Sequence, residues 1–137
     1  MEPEDVVYVL RRLLRSLARH GSVVDLAAVP PDGVVEAGEL VVGRLDESAF
    51  WPRAAASEDA LDALVRKGVL AQVAEERLAV LIDYPTGADA VADVAERAYG
   101  RMPDDVAARV EVLATPVRIR ETSLVRSFTL QREIAQK

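Results

Sequence analysis

Acid–base or nucleophilic chemistry near neutrality needs a group that titrates there, and this chain has one histidine, His20. It stands beside Gly21 at the expected end of a helix, where an imidazole interacts with the last carbonyls. Cysteine is absent, which excludes disulfides, thiolate metal sites and a cysteine nucleophile. Paired carboxylates occur at Glu75-Glu76 and Asp104-Asp105. Adjacent residues point apart on a strand or a helix, so neither pair converges on one reacting atom. Asp89 and Asp93 share a helix face without a third ligand, and calcium takes about six to eight oxygens. Pro85-Thr86-Gly87-Ala88-Asp89 puts one glycine at a helix start, where an anion could touch it, but the spacing is that of neither a Walker A loop nor a dinucleotide fingerprint. Thr86 and Asp89 are instead spaced as a capping box. The expectation is a protein with no catalytic, metal-binding or cofactor-binding residues, and no enzyme.

What remains are residues suited to binding another macromolecule. Phe50 and Trp51 stand side by side in a stretch that reads as a loop, in a chain with six aromatic residues. They either plug one end of the core or anchor a partner, since tryptophan is favoured at interface centres. Arg11, Arg15 and Arg19 recur every fourth residue, a solvated helix face or a stripe for an acidic partner. The last stretch, residues 122–137, is both apolar and basic. Read as a strand, it puts Leu124, Phe128, Leu130 and Ile134 on one face with Arg126 and Arg132 among them. Read as a helix it is weakened by Ser127 and Thr129, so the strand is preferred.

Composition narrows the class further. The 137 residues suffice for one domain with a real core, and half of them are hydrophobic. No apolar run approaches the roughly 18 residues of a membrane span. Acids precede the first apolar residues, the reverse of a signal peptide, so a soluble cytoplasmic protein is expected. The net charge of −6 is uneven: residues 22–108 hold 17 acids and 7 bases, while both ends are mildly basic. An acidic middle disfavours nucleic-acid binding, which needs a positive field, and leaves open contact with a protein partner or a second copy through the ends.

The elements that must position these residues follow from periodicity. Pro3, the acids Glu2, Glu4 and Asp5, and Gly21 bracket an amphipathic helix over 3–20. Ser22–Val29 is a short strand or helix, Pro30-Pro31-Asp32-Gly33 a turn, and the apolar pairs up to Leu45 a hairpin or bulged strand. Ser57 caps a helix ended by Gly68. Val69–Tyr84 reads as a hairpin turning at Glu75-Glu76, with Leu78, Val80 and Leu81 buried. A helix follows Thr86, a short one follows Pro103, and Val110 to Ile119 alternates as a strand broken by Pro116.

From Gly38 onward this order is strand, helix, strand, strand, helix, strand. It predicts an α+β single domain over 1–121 with a ferredoxin-like (split βαβ) four-stranded antiparallel sheet, to which the N-terminal helix and a C-terminal strand or arm, 122–137, are added. A winged helix over 57–83 competes, but its recognition face carries Glu58, Asp59 and Asp62 with only Arg66 and Lys67 basic, too little for phosphate contacts. The expected function is a non-enzymatic interaction or assembly subunit that self-associates or docks through the arm. Its interface residues would be Leu124, Arg126, Phe128, Leu130, Arg132, Phe50, Trp51, Arg11 and Arg15. Fold-level analogy with small subunits of phage tail and neck rings supplies one alternative, the winged helix another.

Overall fold

In the computed structural model, residues 21–97 and 100–131 are described; the helix expected over 3–20 lies outside them, as do Arg11, Arg15 and Arg132. Strand β1, Ser22–Ala37, draws on Val23, Val24, Val29, Val34 and Val35, whose branched side chains suit a pleated surface. It continues through Pro30 and Pro31, joined by a cis peptide bond, where a turn was expected. Among the described residues no strand pairs with the outer edge of β1 before Val34, and such an edge tolerates proline. Gly38, at φ +63°, then makes the tight turn into β2, Leu40–Arg44, which pairs antiparallel with Val34–Ala37.

Helix α1 spans Trp51–Arg66, so the loop expected over 46–56 is largely helical and Ser57 is not its cap. Ala54, Ala55 and Ala56 are strong helix formers, and the Ser57 hydroxyl donates to the Arg53 carbonyl one turn back, 3.2 Å. The stop was legible. Gly68 sits at φ +73°, with Gly68 N–H donating to Val65 O and Val69 N–H to Leu64 O, both 3.0 Å, a Schellman motif.

Leu70–Tyr84 is one continuous strand, β3, rather than a hairpin. Glu75-Glu76 contains no glycine, proline, asparagine or aspartate, so nothing there bends the backbone. Two further helices, α2 over Gly87–Ala95 and α3 over Asp104–Glu111, precede β4, Val117–Leu130. The strand expected from Val110 is thus the last turn of α3 and a loop, with Val112 exposed.

The four strands form one antiparallel sheet in the order β2-β1-β4-β3, so the α+β class holds. The ferredoxin-like plan is not borne out: the elements run ββαβααβ, and this strand order is not that of a split βαβ sheet. Residues 122–130, expected as an appended arm, form the C-terminal half of β4, between β1 and β3.

Two compact units divide the described chain. One comprises residues 28–51 and 78–123, the other 21–27, 52–77 and 124–131. In the first, Val35, Val117 and Ile119 of the sheet meet Val94 of α2 and Val106 and Val110 of α3. Gly87 lets the start of α2 approach α3 closely, since a Cβ there would lie 1.7 Å from Val110 O. The core of the second unit is Leu61, Leu70 and Phe128, flanked by Val23, Leu64, Val65 and Leu130. Leu78 and Leu81, expected in the core, are 40% and 43% exposed, and Val80 is half-buried. Leu81 and Asp83 alternate with Ile82 and Tyr84, which pack inward, so half of this all-apolar run faces away from the helices.

Candidate functional site

A polar cluster in the smaller unit centres on the buried Arg126, 5% exposed. On β4 it shares a face with Phe128, two residues on, and its guanidinium lies 5.2 Å from that ring's centroid. Glu58 and Asp62, one turn apart on α1, present two carboxylates to it. One Arg126 nitrogen donates to Glu58; the other donates to Asp62 Oδ1 at 2.7 Å and to Gln72 Oε1 on β3 at 3.4 Å. Asp25, on β1, faces Glu58 from the far side. Burial and the Asp25 carboxylate together outweigh the pull of Arg126, and the Glu58 carboxyl is pushed up to about 7. Two atoms here are buried without a hydrogen-bond partner among the described residues, Asp25 Oδ2 and Arg126 Nε.

Chemically the cluster can hold and exchange a proton near neutrality. The guanidinium occupies the place between the Glu58 and Asp62 carboxylates that a cation would take. Among the described residues no three histidine, aspartate or glutamate side chains are arranged to hold a metal ion.

The larger unit carries a second network. The Tyr84 hydroxyl donates to Asp93 Oδ2, 2.5 Å, and accepts from Arg97 at 3.0 Å, while Arg97 also pairs with Glu121 at 2.6 Å. Glu47, 3% exposed, accepts the Gly33 N–H at 2.7 Å. Burial raises its carboxyl above the ordinary range, aided by Glu121 and Asp32. The opposite face of the sheet has an open cleft of about 280 Å³, where Arg118 pairs with Asp83 and Arg120 with Glu36 at 2.7 and 2.9 Å. Each cation in it is already matched by a carboxylate of the same chain.

Of the residues singled out from sequence, Phe128 is fully buried, Arg126 nearly so, and Leu124 and Leu130 half-buried. Arg126, in the stretch expected to dock on a partner or a second copy, meets acids of its own chain. Phe50 and Trp51 pack edge to face, 5.3 Å between centroids, and the Trp51 indole N–H donates to Asp32 at 2.6 Å. Both are half-buried, at the turn into α1. Thr86 caps α2 as its spacing indicated, accepting from Asp89 N at 3.3 Å, and the Gly87 N–H is taken by Leu113 O. Glu75-Glu76 and Asp104-Asp105 are exposed.

Asp25, Glu58 and Asp62 were not legible as a cluster, nor were Tyr84, Arg97, Glu47 and Glu121. Only Arg126 offered a signal, a charge on the apolar face of its own strand.

The chain matches no known protein family, no curated protein and no solved structure. No helix among the described residues is long and apolar enough to cross a membrane.

Proposed function

We propose that the protein is a non-enzymatic interaction subunit, which self-associates or docks on a larger assembly. The observation that supports this reading is the exposure of Val24 and Leu26 on β1 and of Val73 on β3, at 66%, 67% and 60%. All three belong to the smaller unit. Val24 and Leu26 are alternate residues of one strand and so share a face, and large exposed apolar side chains that share a face are a usual mark of a protein interface. The route through a detached arm is replaced: Phe128 is an internal anchor, and the surface on offer is β1 and its neighbours.

Sizing with mass detection tests this, on the purified chain over a concentration series and on native lysate. A defined oligomer or a stable heteromer is expected. A monomer in both preparations overturns the reading.

A further inference from the structure

The two outer edges of the sheet are protected unequally. The outer edge of β3 runs past Glu75, Glu76 and Arg77, three exposed charges of the kind that discourage another strand from pairing. On the β1 side, β2 covers only Val34–Ala37, and the preceding residues have no strand on their outer side among the described residues. There the chain reads Ser22-Val23-Val24-Asp25-Leu26-Ala27-Ala28-Val29. Its one charge, Asp25, is turned toward Glu58 and leaves the edge neutral.

Main-chain geometry says which groups are unpaired. The Gly21 carbonyl accepts from Leu130 N–H on β4, 3.2 Å. By strand alternation the main-chain groups of Ser22, Val24 and Leu26 then point away from β4, toward the open edge. A partner for this edge must supply an extended, neutral, apolar strand. The same segment of a second copy meets that description, and Pro30, lacking an N–H, ends the ladder.

We propose that the Ser22–Val29 edge pairs antiparallel with itself across a two-fold axis, joining two sheets into one. This rests on the interaction reading above and names its partner. Of the symmetric registers, one with Leu26 on the axis sets Leu26 against its copy, Val24 against Ala28, Val23 against Val29, and Asp25 against Ala27. Moving the axis to Asp25 sets two carboxylates directly opposite, which is unfavourable. With Leu26 on the axis, Val24 and Leu26 of both copies lie side by side on the outer face, and each exposed apolar side chain gains an apolar neighbour.

Because the chain has no cysteine, one introduced thiol reports the register cleanly. Facing residues of an antiparallel pair have Cα atoms about 4.5–5.5 Å apart, within disulfide reach. Leu26→Cys is expected to form a covalent dimer under mild oxidation at low micromolar concentration, while Ala74→Cys on the β3 edge stays monomeric on a denaturing gel. Leu26→Asp is expected to abolish the native dimer in mass-detected sizing, with the circular-dichroism spectrum unchanged. If an oligomer exists but Leu26→Cys cross-links no faster than Ala74→Cys, the edge pairing is wrong and the interaction reading stands. If the wild-type chain is monomeric throughout, alone and in lysate, both fall.

Discussion

Among the described residues, the unit of 28–51 and 78–123 fills its interior with apolar side chains from three strands and two helices, whereas that of 21–27, 52–77 and 124–131 shows one helix over three strand segments and places an arginine beside its core. The larger unit has exposed ion pairs on the strands of its sheet, among them Arg118 with Asp83 and Arg120 with Glu36. In the smaller, β4 and α1 are linked through Arg126, Glu58 and Asp62. Such a link is specific in geometry but sensitive to the loss of either partner, because the charge left behind stays buried. The smaller unit should therefore be more responsive to single substitutions and to pH.

The largest effect is expected from Phe128→Ala, which removes a fully buried ring packed with Leu61 and Leu70. Its cost should be about 3–5 kcal/mol in urea unfolding. Amide exchange should rise first in 21–27, 52–77 and 124–131; an equal loss of protection over 78–123 would show one cooperative body in place of two units.

Next, Arg126→Ala strands Glu58 and Asp62. Asp62 is 42% exposed, so the cost should be roughly 2–3 kcal/mol, below that of a wholly buried pair. Arg118→Ala, at an exposed pair, should leave the unfolding midpoint within error. Equal losses from the two would remove the contrast between the units.

The same cluster should give a pH dependence. The Glu58 carboxyl titrates at about 7 in the folded chain against an ordinary 4.5, so the folded state binds this proton more tightly than the unfolded one. Its contribution is complete below about 4.5 and declines as pH rises toward 7. Melting between pH 5 and 7.5 should show a wild-type midpoint that falls with rising pH. Glu58→Gln, which resembles the protonated carboxyl, should flatten the curve. Parallel curves for the two proteins would mean that Glu58 titrates elsewhere. Burial also raises the Glu47 carboxyl, so the difference between wild type and variant, not the raw slope, is the quantity to read.

Much of the local structure was legible because it depends on neighbours in the chain. Gly68 ends α1 and Thr86 caps α2 through hydrogen bonds spanning a few residues. Less legible were features in which the same residues fit two structures. Glu75-Glu76 looks like a turn between apolar runs, yet charges at that place serve equally well on an exposed strand edge. The helical stretch before Ser57 was hidden by the aromatic pair and Pro52, although proline is well tolerated in a first turn. The candidate site was the least legible part. Its members come from β1, α1, β3 and β4, and no spacing relates Asp25, Glu58, Gln72 and Arg126 before the sheet has formed.

By itself the sequence determined an α+β chain with no thiol chemistry, helix ends at Gly68 and Thr86, and an alternating, partly basic strand after Glu121. These follow from residue type and short-range geometry. Only the tertiary structure decided that this last strand lies between β1 and β3, that Leu78 and Leu81 face outward, and that Arg126 meets acids of its own chain. The physical reason is that alternation specifies a strand and its two faces, but not which strand lies beside it or which face a helix will cover. Those choices are made by pairing over long separations, such as Gly21 with Leu130 and Glu36 with Arg120.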